Sequence, residues 1–338
     1  MFHRNNGLFG ILPVLVVCLS CLFPGCNPPQ QPAGPVETIR IAAFKGELAA
    51  LVWVADAEGL FIKHGLNALV TGFESGVASV EALLAGTADV ATAAESVFVS
   101  KSLARAGSGS PRILGAIART ESIGIVARLD RGIAAPADLK GKRIALTGQT
   151  PSPYFLDRYL LYNRIEPRSV TIVDLPPLKV VEAVVQGSVD AAITWEPYVW
   201  NIGQKLAGNA RAWPAQSNQE FYFLLICSRD FAEKRPEAAR NMFRALAEAE
   251  SLIRTDPARA RQALARRLAL DERYLAAVWP KHTLGLSLDQ ALLVAMEDQA
   301  RWAISRGPAP GTRSPNYLES ISPEPLVAVR PEAVTLYR

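Results

Sequence analysis

Two stretches of this chain carry the same phrase. Residues 82–96 read ALLAGTADVATAAES and residues 183–197 read AVVQGSVDAAITWEP. In each, an apolar helical run meets a glycine (Gly86, Gly187), a small hydroxyl residue follows (Thr87, Ser188), and an aspartate stands three positions after the glycine (Asp89, Asp190). A short apolar strand comes next and gives way to a glutamate, Glu95 or Glu196. Glycine just past a helix supplies the left-handed residue that ends it. The phrase therefore reads as helix, glycine cap, turn, strand, and its recurrence predicts one structural station built twice.

Around the first copy, strands are expected at 37–44, 67–73, 89–94 and 112–119, alternating with helices at 47–65, 77–86 and 96–107. The pattern restarts with strands at 123–128, 142–147, 169–175 and 190–195 and helices at 152–165, 178–187 and 197–207. Strand and helix alternating through short links predict α/β units with largely parallel sheets. FYFLLICS (221–228) is the last clear strand, and the chain beyond it reads as helical. Asp256-Pro257 has the form of an N-cap with proline at the first helical position, and Ser287 with Gln290 has capping-box spacing. The tail, YLESISPEPLVAVRPEAVTLY, is punctuated by proline and is expected to wrap back onto the body.

A length of 338 residues fits two compact units. The formal charge of +4 is too small to imply a nucleic-acid or membrane-surface partner. The first 26 residues, MFHRNNGLFGILPVLVVCLSCLFPGC, place a short basic head before an apolar run, and NPPQQPAGPVE after them cannot bury a core. The arrangement resembles a bacterial lipoprotein signal, with a signal peptide at 1–25, a tether at 26–36, lipidation at Cys26 and Cys21 as the competing site. Phe23 and Pro24 depart from the usual small residues before such a cysteine. Cys227 alone lies outside this leader, so no disulfide framework is expected.

Three histidines (His3, His64, His282) have no metal-ligand spacing, so neither a metal nor a cofactor is expected. No phosphate-binding loop and no nucleophile elbow occur. The candidate site comes instead from strand-to-helix turns on one face of the expected sheets, where open α/β sheets collect ligands. These are Phe44, Lys45, Gly46 and Glu47; Glu74, Ser75 and Gly76; Glu95 and Ser96; Gln149, Thr150, Ser152 and Tyr154; and Trp195 with Glu196. At TGQTPSPYF (147–155) the hydroxyls and helix start could hold a polar head group, or Ser152 could simply cap the helix. Glu47, Glu74, Glu95 and Glu196 with Lys45 as the one cation disfavour a bare anion. They favour an aminosulfonate, an amine or a polar heteroaromatic against Trp195.

ADLKGKRIAL (137–146), VVEAVVQGSVDAAITWEP and RPEAARNMFRALAEA (235–249), with AEGLFIKHGLNALV and PLVAVRPEAVTLY, resemble the nitrate/sulfonate/taurine (bicarbonate)-binding family of ABC-transporter solute-binding proteins. The resemblance covers roughly residues 38–338 and implies a type II periplasmic-binding-protein fold, two α/β lobes with a ligand cleft between them and a helical C-terminal region. Lobe 1 would be 37–120 plus about 250–338, and lobe 2 would be 121–249. It implies an exported, lipid-anchored monomer with no enzymatic activity, which passes a small solute to the permease and ATPase subunits of an importer. Where many members have Gly-Ser then His near the second-lobe helix start, this chain has Gln149-Thr150-Pro151-Ser152-Pro153-Tyr154. The alternatives on the same scaffold are a binder of thiamine-pyrimidine precursors or other amines and heteroaromatics, and a biosynthetic enzyme.

Overall fold

The structure is a computed structural model that describes residues 1–2, 36–104, 111–307 and 313–337. The signal peptide, the tether up to residue 35 and the expected lipidation at Cys26 or Cys21 lie outside the described residues. The strands, in chain order, are β1 (Glu37–Phe44), β2 (Leu66–Phe73), β3 (Val90–Ala94), β4 (Arg112–Thr120), β5 (Ile123–Arg128) and β6 (Arg143–Leu146). They continue with β7 (Thr171–Asp174), β8 (Ala191–Trp195), β9 (Ala210–Pro214), β10 (Phe221–Cys227) and β11 (His282–Ser287). One sheet has the order β11-β4-β10-β3-β1-β2 and the other β7-β6-β8-β5-β9.

Parallel pairing is confined to β2-β1-β3 and β7-β6-β8, and each triplet is extended by antiparallel strands. The expected return to the first lobe near residue 250 comes earlier. β10 pairs antiparallel with both β3 and β4, so the chain re-enters the first sheet at Phe221. The physical reason is burial: all seven residues of β10 are buried, and a strand apolar on both faces belongs in the middle of a covered sheet. The helix Pro236–Thr255 then packs its apolar stripe on the helix Ala50–Ala57 of the same lobe. β9 and β11 escape the sequence pattern because both are edge strands with mixed exposure.

Local signals decide the remaining boundaries. Asp256 caps the helix Pro257–Leu268 by accepting from Arg259 N at 3.0 Å. The helix Gln290–Arg306 is capped by Asp289, not by Ser287, which ends β11. The tail returns to the first lobe through the bridges Ile113–Ile321 and Leu288–Val334.

The doubled phrase folds identically in the two lobes. Gly86 and Gly187 have φ of +75° and +74°. Thr87 N donates to Ala82 O and Ser188 N to Ala183 O, both at 3.0 Å, which closes the helix ends in the six-to-one pattern of a glycine cap. Each hydroxyl repeats the bond to the same carbonyl, Thr87 Oγ1 at 2.9 Å and Ser188 Oγ at 3.1 Å. The aspartates then reach across to the neighbouring parallel strand. Asp89 accepts from Arg40 N and Asp190 from Arg143 N, each at 2.8 Å, while each aspartate N–H returns a bond to that residue's carbonyl at 2.9 Å. This two-way clasp sets the register of β3 on β1 and of β8 on β6.

Two short segments join the lobes, Glu121-Ser122 between β4 and β5 and residues 215–220 between β9 and β10. The buried amide of Gln216 ties them together. It accepts from Ile123 N at 2.7 Å and donates to Thr120 O at 3.0 Å and Gln219 O at 2.7 Å.

Burial alone would raise the Asp89 pKa, but hydrogen bonds and charge from Arg40, with the charge of Arg235, hold it below its ordinary 3.8. A carboxyl depressed on folding contributes stability that is present above its unfolded pKa and lost as the pH falls through the folded value. Asp89→Asn is therefore expected to lower stability near neutral pH by about 1–3 kcal/mol. In urea titrations the gap to the parent should narrow below pH 3.8, the ordinary value.

Candidate functional site

The ends of β1, β3 and β8 and the starts of several helices meet at the seam between the lobes, where they enclose a narrow cavity. The first lobe contributes Phe44, Leu48, Gly76, Ala94, Val97, Phe221 and Phe223. The second contributes Ile123, Thr150, Pro151 and Trp195. Its volume is about 20 Å³, room for one or two water molecules where one needs roughly 10–15 Å³.

The wall is aromatic. Phe44 and Phe223 meet edge to face with ring centroids 5.8 Å apart, and Phe221 lies 6.5 Å from Phe155 behind it. Trp195 is 6% exposed and stands edge-on to Tyr198 at 5.4 Å. Gly76 is required for close packing, since a Cβ there would come within 2.8 Å of the Ala93 backbone.

Of the residues expected at the site, Phe44, Gly76, Thr150 and Trp195 line the cavity. Ser75, Ser96 and Ser152 adjoin the lining residues Gly76, Val97 and Pro151 in the chain, and Gly46 stands between Phe44 and Leu48. Ser75 caps the helix Gly76–Leu84 by accepting from Ala78 N at 3.2 Å. Thr150, not Ser152, caps the helix Pro151–Tyr162, accepting from Ser152 N at 3.2 Å. Gln149 is exposed, with φ of +57°, and lines a separate surface groove with Glu81, Leu84 and Lys101. Tyr154 belongs elsewhere: its hydroxyl donates to Asp298 at 2.5 Å and its ring meets Trp302 edge-on at 5.6 Å, on the helix Gln290–Arg306.

The four glutamates are also not a ring of free charges around a ligand, which corrects the electrostatic expectation. Glu47 is fully buried, accepts from Tyr274 OH at 2.6 Å and lies 3.4 Å from His282 Nε2. Glu74 pairs with Lys45 at 2.9 Å on the exposed rim. Glu95 accepts from Tyr222 N at 3.0 Å and Gln299 Nε2 at 2.8 Å. Glu196 accepts from Lys281 Nζ and Trp200 N, both at 3.0 Å. Each acid serves the frame. Sequence spacing placed them at the correct end of the sheets, but only the packed structure supplies their partners.

Leu48, Ala94, Val97, Ile123, Pro151, Phe221 and Phe223 were missed. Phe221 and Phe223 share one face of β10 by the two-residue period of a strand. In an entirely apolar strand that alternation carries no contrast, so the face toward a ligand cannot be told from the face toward the core.

The lobes are joined on both rims of the cavity. On one, Tyr198 OH donates to Glu74 O at 2.8 Å, and Lys281 reaches Glu196. On the other, Tyr154 meets Asp298, and Trp302 Nε1 donates to Asp157 at 3.0 Å.

Burial pushes the Glu95 carboxyl up to about 8, against the opposing effect of its hydrogen bonds from Gln299 and the backbone. A carboxyl raised on folding contributes stability that is fully present below its unfolded value of 4.5 and lost as the pH rises toward 8. Denaturant titrations should show the parent losing a few kcal/mol across that window, and Glu95→Gln should flatten the slope.

Comparison with known proteins places this geometry. A binding protein of Brucella abortus is 27% identical over 249 residues, covering 71% of this chain and 74% of that protein. The taurine-binding periplasmic protein of Escherichia coli is 26% identical over 210 residues, covering 60% of this chain and 63% of its own. The structure of the alkanesulfonate-binding protein of Xanthomonas axonopodis pv. citri bound to MOPS superposes with a TM-score of 0.73 at 21% identity, covering 86% of this chain and 99% of that one. The two-sheet architecture is thus that of a periplasmic binding protein. Residues 49–260, well over half of the sequence, match the family described as NMT1/THI5 like, and the chain belongs to that family.

Proposed function

We propose that this chain is the solute-binding component of an ABC importer, exported and lipid-anchored at Cys26. It closes two lobes over a small organic solute and passes it to a membrane permease. The observation that carries this reading is the cavity itself: it lies on the seam, both lobes build its wall, and the contacts that shut it lie on its rims. The wall selects for an apolar or ring-shaped body. Phe44, Trp195, Phe221 and Phe223 offer ring faces and edges, and the polar side-chain groups of the lining are the Thr150 hydroxyl and the Trp195 indole N–H. The names of the relatives add the organosulfonates as the first compounds to try.

The amine or heteroaromatic alternative uses the same cavity and is favoured by the same four rings. The test is a thermal-shift panel of taurine, alkanesulfonates, arylsulfonates, nitrate, bicarbonate, pyrimidines and polyamines. A ligand at 100 times its Kd adds roughly 2.7 kcal/mol of stability. Trp195→Ala should weaken any hit by about tenfold or more, equivalent to about 1.4 kcal/mol. Silence across the panel, or a hit that ignores Trp195, would overturn the reading. Cys26→Ala should move the protein from the membrane to the soluble fraction, and an unchanged distribution would remove the anchor.

A further inference from the structure

Three helices begin at the cavity wall, and their first turns differ in what they can offer a ligand. The start of a helix attracts anions through the N–H groups of its first residues, which have no partner inside the helix. In the helix Gly76–Leu84, Ser75 Oγ accepts from Ala78 N, and Gly76 and Val77 before it both carry N–H groups. In the helix Glu95–Ala104, the first residue is itself a carboxyl buried at the helix start. In the helix Pro151–Tyr162, positions one and three are Pro151 and Pro153, which have no N–H. The donor between them, Ser152 N, is occupied by Thr150 Oγ1. Residues 151–153 thus have no free backbone donor to give, although Thr150 and Pro151 line the cavity.

No compensating cation stands in the wall: none of the lining residues is Lys, Arg or His. The nearby lysines are engaged outside it, Lys45 with Glu74 and Lys281 with Glu196. Two of these first turns also carry hydroxyls. Ser96 Oγ and Ser152 Oγ are buried without hydrogen-bond partners. A hydroxyl both donates and accepts, which suits an uncharged head such as an amide or sulfonamide. An anion in an apolar wall needs several donors or a counter-charge to offset the loss of water.

We infer that the cavity selects solutes with an uncharged polar head on a ring-sized apolar body, and that Pro151 and Pro153 set this preference by removing the amide donors an anion would use. The inference rests on the reading of the cavity as the solute site.

Benzenesulfonamide and benzenesulfonate test it, because they share a ring and differ in head charge near neutral pH. Calorimetry on the full chain should find the sulfonamide binding at least about tenfold tighter. Pro151→Ala, Pro153→Ala and the double variant, each checked by thermal melt, restore one or two N–H groups. The double variant should bind benzenesulfonate at least about tenfold tighter than the parent does, with the single variants between. Benzenesulfonate binding the parent as tightly as the sulfonamide, or gaining nothing in folded variants, overturns the selectivity while leaving the solute site standing. If benzenesulfonamide, benzenesulfonate and methanesulfonate are all silent in parent and variants, the selectivity falls together with the solute-site reading.

Discussion

The rest of the structure hangs on a clasp between an aspartate and the backbone of a neighbouring strand. Asp89 accepts from Arg40 N and Asp190 from Arg143 N, and each returns a backbone bond to the same residue. A parallel strand arriving from a helix has no hairpin to fix its register. The clasp fixes it at the first residue, and the glycine cap before it fixes the direction of arrival. Five residues later each strand ends at the cavity, at Ala94 in one lobe and Trp195 in the other. The glycine and aspartate of the repeated phrase are thus structural, and their effect on function is to deliver strand ends to the seam.

The acids that follow those strands extend the same logic. Glu95 links the start of its helix to β10 and to the helix Gln290–Arg306, and Glu196 links the second lobe to Lys281 at the start of β11. Buried carboxyl groups persist where they are hydrogen-bonded or paired, as Glu47, Glu95 and Glu196 are. Gln216 performs the corresponding task at the crossovers, where one amide side chain holds both segments. The two lobes are thus joined at crossovers tied by Gln216 and by side-chain contacts along the rims.

With the acids withdrawn into the frame, the cavity shows rings, aliphatic groups and a few hydroxyls. The unlike ends of the repeated phrase matter here. The first lobe ends small at Ala94, which leaves space beside Gly76, and the second ends large at Trp195, which supplies a wall. The first turn of the helix Pro151–Tyr162, with prolines at its first and third positions, lies against this wall.

The sequence by itself determined the two α/β lobes, the doubled station and the strand ends that face the seam. Glycine caps, aspartate positions and helical periodicity are local signals, and local geometry suffices to read them. It also brought Phe44, Gly76, Thr150 and Trp195 to one place, since strand-to-helix turns at the same end of a sheet must share a face. Only the tertiary structure decided where β10 lies, because a wholly apolar strand specifies burial but not its neighbours. Only it showed that Glu47, Glu95 and Glu196 have partners 85 to more than 200 positions away in the chain, Tyr274, Gln299 and Lys281. Whether a carboxylate faces a ligand or a neighbour depends on which distant side chains arrive beside it, and long-range packing is the one thing a local pattern does not encode.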